Sequence, residues 1–203
     1  MSSVWKMAAL AGSSAIACAL AYKISNKLLN KDNPESQSNF NDVLVYNAKD
    51  DEERKKEYMD NLNSIKYLLC NARSTVDVCM GTLTSEIFID SLTMVAEKGV
   101  KVRIVLHSSS PEDLENLSCL VEADCGLKTC APDDRLDHEI IIIDGRNITK
   151  EPVALVGALN YTVDDFGDQY DSTLVTSEKN IVDKLQDEFD RLMRSDDSGN
   201  NEE

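Results

Sequence analysis

Residues 137–144 read Asp137-His138-Glu139-Ile140-Ile141-Ile142-Ile143-Asp144, and Gly145 follows. Four consecutive isoleucines closed by Asp-Gly predict a buried strand that stops at a turn. A strand this apolar needs cover, so the stretch points to a sheet inside a layered α/β domain. The flanking sequence fits. Val153 to Val156 is an apolar strand stopped by Gly157, and Ser172 to Val175 is another. Upstream, Ser74 to Met80 alternates with β-branched residues. Val100 to Leu106 alternates strictly, with Val100, Val102, Ile104 and Leu106 on one face and Lys101 and Arg103 on the other. Leu127 to Cys130 is long enough for a short strand.

Helical patterns lie between these strands. Asp50 to Glu57 pairs acids with bases at i,i+4 (Asp51–Lys55, Glu52–Lys56), as an exposed helical face does, and Tyr58, Leu62, Ile65 and Leu69 continue toward a core. Thr84 or Ser85 is placed to cap a helix carrying Ile87, Ile89, Leu92 and Val95 and ending at Gly99. Ser110-Pro111-Glu112-Asp113 has the cap, first-turn Pro and acids of another helix start. Ser177 is the expected cap of a last helix bearing Ile181, Val182, Leu185, Phe189, Leu192 and Met193 on one face. Strands alternating with helices imply an α/β sandwich around a central, mostly buried sheet. The expected organisation is residues 1–31 as a membrane anchor with flanking lysines, 32–49 as a linker, 50–194 as the domain and 195–203 as an acidic disordered tail.

Charge divides the chain. Its 203 residues carry 21 basic and 37 acidic side chains, a net of −16. Residues 1–31 hold Lys6, Lys23, Lys27 and Lys31 and no acid, so residues 32–203 stand at −20. A body of that charge repels a polyanion, which argues against nucleic-acid binding by phosphate neutralisation. Met7 to Tyr22 is an uncharged run bounded by Lys6 and Lys23. As a helix it spans about 24 Å, short of a hydrocarbon core of roughly 30 Å. Snorkelling of the two lysines extends it. Three readings compete: a membrane anchor with a cytosolic, positive flank; a secretory signal cleaved after Ala19-Leu20-Ala21; and a soluble buried helix. Of six cysteines, Cys18 lies in this run, and the remaining five cannot all pair internally. With no CxxC spacing they read as reduced thiols, which favours the cytosol-facing anchor.

Three stretches in order, Val102–Leu106, Asp137–Asp144 and Val156-Gly157-Ala158-Leu159-Asn160-Tyr161-Thr162, resemble the phospholipase D superfamily, whose signature is H-x-K-x4-D followed by G-S/G-x-N. Within it the chain is similar to the small mitochondrial cardiolipin hydrolases, which include the Zucchini endonuclease of piRNA biogenesis. The resemblance implies a phospholipase D-like fold, an α-β-α sandwich with a central mixed sheet, behind an N-terminal anchor at the mitochondrial outer membrane, facing the cytosol. It also implies one motif per chain, with the active site completed by dimerisation.

The same resemblance implies a His nucleophile that forms a phosphohistidine, a second subunit's His as general acid, and a Lys two residues on that steadies phosphate oxygens. Asp137 and Glu139 occupy those two positions here. Asp144, Gly157 and Asn160 match the motif, while Ala158 stands where Ser or Gly belongs. No intact catalytic set remains, and the chain is expected to be a pseudoenzyme with a structural or regulatory role, as a homodimer or paired with an active related chain. The alternative is an active phosphodiesterase, on cardiolipin or single-stranded RNA, built around His138. On a strand His138 faces away from Asp137 and Glu139. His107, the other histidine, ends a strand. Carboxylates of Asp137 and Glu139 converging in a dimer form a speculative cation site with oxygen ligands; hydrated carboxylates are the simpler expectation. No cofactor is expected, nucleic acid is an unexpected partner, and phospholipid binding is left open.

Overall fold

A computed structural model describes residues 39–46, 51–107, 117–130, 136, 139–146, 151–157 and 171–195. Seven strands form one sheet: β1 (Asn41–Tyr46), β2 (Thr75–Met80), β3 (Lys101–Leu106), β4 (Gly126–Thr129), β5 (Ile140–Ile143), β6 (Val153–Gly157) and β7 (Asp171–Thr176). Their order is β1-β7-β6-β5-β2-β3-β4. β2, β3 and β4 are parallel, and every other neighbouring pair is antiparallel. Four helices are described: α1 (Asp51–Cys70), α2 (Glu86–Glu97), α3 (Ser118–Glu122) and α4 (Lys179–Arg194).

Side-chain alternation builds two cores, one on each face of the sheet. Val76, Val78, Ile104, Leu106, Ile141, Ile143 and Leu155 meet α1, α2 and α3. Cys79, Val105, Ile140, Ile142 and Ala154 meet Val182, Phe189 and Leu192 of α4. The four isoleucines of β5 are all buried because odd and even positions enter different cores. The mixed sheet between helical layers matches the fold expected from the sequence.

Several local expectations need correction. Residues 41–46, expected inside the linker, form β1 and pair with β7. They were missed because the strand is short and one-sided: Leu44 is buried, while Val43 and Val45 are exposed. Ser177 does not cap α4. The N-cap is Glu178, and Ser177 Oγ instead accepts a hydrogen bond from Phe40 N at 2.7 Å, tying the entry of β1 to the end of β7. Ile181, expected on the apolar face, is exposed. Ser85 is the N-cap of α2, as expected, yet its side chain makes no capping bond. The helix start at Ser110, the Met7–Tyr22 run and the tail from residue 196 lie outside the described residues. Among the described residues no helix is long and apolar enough to cross a membrane.

Candidate functional site

β2, β3 and β4 run in one direction, and β5 runs against β2. The carboxyl ends of β2, β3, β4 and β6 therefore share one edge of the sheet with the amino end of β5. In open α/β sheets, ligands gather beyond the carboxyl ends of parallel strands. Glu139, Gly157, His107 and Cys130 all fall on that edge.

Glu139 directly precedes β5 and is half-buried. Gly157 N donates to Glu139 O at 3.2 Å, continuing the β5–β6 ladder. The two motif segments, far apart in the printed pattern, thus meet residue against residue. Gly157 has φ 123, and a Cβ there would stand 2.3 Å from the Ser172 carbonyl oxygen. Close approach of β6 to β7 accordingly requires glycine. Asp137, His138, Ala158 and Asn160 lie outside the described residues, and so does one half of the speculative cation pair. Among the described residues no group of three or more His, Cys, Asp or Glu is placed to hold a metal.

Asp144, grouped with the motif by sequence, is at the opposite edge. It is five positions on from Glu139, about 16 Å at strand rise. It is fully buried, with φ 55, a conformation aspartate tolerates better than most residues. Its Oδ1 accepts from Ser74 N at 2.7 Å, Arg73 N at 3.0 Å, Thr75 N at 3.3 Å and Ser74 Oγ at 3.0 Å. Its own N–H donates to Thr75 O at 2.9 Å. Three consecutive backbone donors form an anion-binding nest that this carboxylate fills. Asp144 clamps the end of β5 to the α1–β2 turn, at the edge away from Glu139.

Cys79, near the site edge, is a poor nucleophile. Burial, then the neighbouring Cys130 and Glu188, push the Cys79 thiol up to about 12, so it carries no thiolate at neutral pH. His107 directly follows β3, its backbone N–H donating to Met80 O at 3.3 Å.

A polar network under α4 escaped the sequence reading. Asp77 on β2 is 1% exposed and stands in register with Arg103 on β3. Arg103 grips it with Nε to Oδ1 and Nη2 to Oδ2, each 2.7 Å, and reaches Asp190 Oδ1 at 3.0 Å. Gln186 Nε2 donates to Asp77 Oδ2 at 2.7 Å, and Arg146 Nε donates to Asp190 Oδ2 at 2.9 Å. The Arg103 guanidinium carbon lies 5.0 Å from the Phe189 ring centroid. Arg103 looked like an ordinary outward residue because alternation names a face but not what covers it. The available signal was Asp77, a lone acid in an otherwise apolar strand.

Comparison with known proteins agrees with this architecture. A family model described as a cardiolipin synthase, PLD-like domain matches residues 65–193. The chain is 25% identical over 127 residues to a mitochondrial cardiolipin hydrolase of Xenopus laevis, covering 61% of this chain and 57% of that one. It is 28% identical over 131 residues to a mitochondrial cardiolipin hydrolase of Chlamydomonas reinhardtii, covering 61% of this chain and 53% of that one. The chain thus spans little more than half the length of these relatives. Among solved structures, NucT from Helicobacter pylori superposes with a TM-score of 0.59 at 19% identity, covering 78% of this chain and 98% of that one. Nuc from Salmonella typhimurium, a phospholipase D family member, gives 0.60 at 12% identity, covering 77% and 95%. At such identities the superpositions speak for the fold alone.

Proposed function

The chain belongs to the PLD-like domain family, and from that premise we propose that it keeps the fold but not the hydrolase constellation, serving a structural or regulatory role at the mitochondrial outer membrane. The observation that carries this reading is Glu139. It faces Gly157 across the β5–β6 ladder, at the edge where such a sheet receives ligand, and it stands where the resembling motif has its phosphate-binding Lys. A carboxylate there repels phosphate oxygens instead of steadying them. In enzymes of other classes, loss of a single donor to a developing oxyanion lowers the rate about 10²–10³-fold. Here the motif's nucleophilic His is also replaced, by Asp137.

The location rests on two supports. The relatives are named as mitochondrial cardiolipin hydrolases. The Met7–Tyr22 run between Lys6 and Lys23 suits a short anchor with its positive flank, and the attached body, in the cytosol. A dimer with an active related chain is the regulatory route that follows: a site assembled across two chains would receive one His-Lys pair instead of two, which inhibits. Single-stranded RNA is a poor ligand for a body at −20.

The test is turnover of bis(p-nitrophenyl) phosphate by the full chain in detergent. The expected rate is that of buffer alone. Turnover above buffer that disappears in His138→Ala establishes the alternative, an active phosphodiesterase, and overturns this reading.

A further inference from the structure

α3 ends in a tight reversal. Asp124 has φ 61, Asp124 N donates to Val121 O at 3.1 Å, and Cys125 N donates to Leu120 O at 3.0 Å. This pair of bonds is a Schellman closure, which lays the second residue past the cap over the third or fourth residue before it. In most proteins an apolar contact fills that place. Here Cys125 is laid toward Leu120 and Cys119, and the Cys119 sulfur is near enough to help raise the Cys125 thiol. Both pack into the core beneath α2, where Thr93 Oγ1 lies 3.6 Å from Cys119 Sγ. Cys119 is half-buried, Cys125 is buried, and both are free thiols. The pairing is selective. Cys79 lies in the core on the other face of the sheet. Cys130, packed against that same core, lies two strands from Cys79 and two residues past its level, more than about 9.6 Å away and beyond the roughly 7 Å that a disulfide spans between Cα atoms.

We propose that Cys119 and Cys125 form a reversible disulfide that staples the α3–β4 corner in response to peroxide. Cys119, the more accessible sulfur, attacks the peroxide O–O bond as its thiolate; hydroxide leaves, and Cys119 becomes a sulfenic acid. Cys125 sulfur then attacks the Cys119 sulfur. The S–O bond breaks, and the departing oxygen leaves as water after taking up the thiol proton. Two thiols and one peroxide become one disulfide and two waters, and an external dithiol reverses the change. Burial, then Cys119 and Asp124 nearby, push the Cys125 thiol up to about 11, so Cys119 takes the first step and Cys125 must give up its proton as it attacks in the second. This site is separate from the carboxyl edge of the sheet and does not depend on whether that edge retains activity.

The test uses the purified full chain. It is treated with hydrogen peroxide at a dose that converts the exposed Met59 to its sulfoxide. Free thiols are alkylated under denaturing conditions, and the chain is digested with trypsin. The peptide from Ile104 to Lys128 contains Cys119 and Cys125 and no other cysteine. The expected product is this peptide unalkylated and two hydrogens lighter than its reduced form, returning to the doubly alkylated peptide after dithiothreitol. In Cys125→Ala the same treatment should carry Cys119 on to the sulfinic acid. A wild-type peptide that stays doubly alkylated at that dose, takes oxygen without linking, or links to Cys70 or Cys130 overturns the proposal.

Discussion

Asp144 combines a positive φ, complete burial and a nest of three backbone N–H groups. Removing its carboxylate orphans those donors in a fully buried site. Asp144→Ala should therefore cost about 3 kcal/mol or more. Asp144→Asn, which keeps the shape and tolerates the left-handed backbone, should cost clearly less; urea midpoints of the two variants measure the difference. Gly157→Ala places a methyl 2.3 Å from the Ser172 carbonyl, and the backbone of β7 must move. About 2 kcal/mol of destabilisation is expected, visible as a lower thermal midpoint. The sequence made these residues conspicuous but not their purpose. The x4 spacing of the motif carries Asp144 to the far end of a four-residue strand, and only the register with Thr75 reveals what it holds.

At the level of elements, α4 is fastened by charge as well as by Phe189. Burial alone would raise the Asp190 carboxyl. The hydrogen bond from Arg146 and the charges of Arg103 and Arg146 outweigh burial and hold it below the usual carboxylate range. The folded state therefore prefers Asp190 ionised, and below about pH 4 the unfolded chain binds more protons at this residue. Its contribution is present above the unfolded carboxylate value and is lost as pH falls through the folded one. Asp190→Asn should be less stable than wild type at pH 7, and the gap should narrow toward pH 2 in urea titrations. Arg103→Leu strands Asp77, which is 1% exposed, and should cost about 3–5 kcal/mol by the same assay. Sequence pattern located α1, α2, α4 and six of the strands, because each carries apolar residues at the period of its element. It failed at β1 and at the start of α4. Val43 and Val45 of β1 stay in solvent, and Ser177 has a partner 137 residues away in sequence.

Over the whole molecule, the two edges of the sheet have different work. The Asp144 edge is a clamp. The opposite edge carries Glu139 against Gly157, at the head of the strand that began the sequence reading. The fold was legible there because burial on both faces leaves an apolar run that only a covered sheet accommodates. The proposed loss of chemistry rests on one named position, where Glu139 stands in place of the resembling motif's lysine. The polar network was not, since no local pattern says that Arg103 and Gln186 converge on Asp77. The central claim is that this sheet edge no longer transfers a phosphoryl group. Cardiolipin vesicles mixed with the full chain test it most directly, with phosphatidic acid as the measured product. The account predicts no release above protein-free vesicles; sustained release that grows with protein concentration would contradict it.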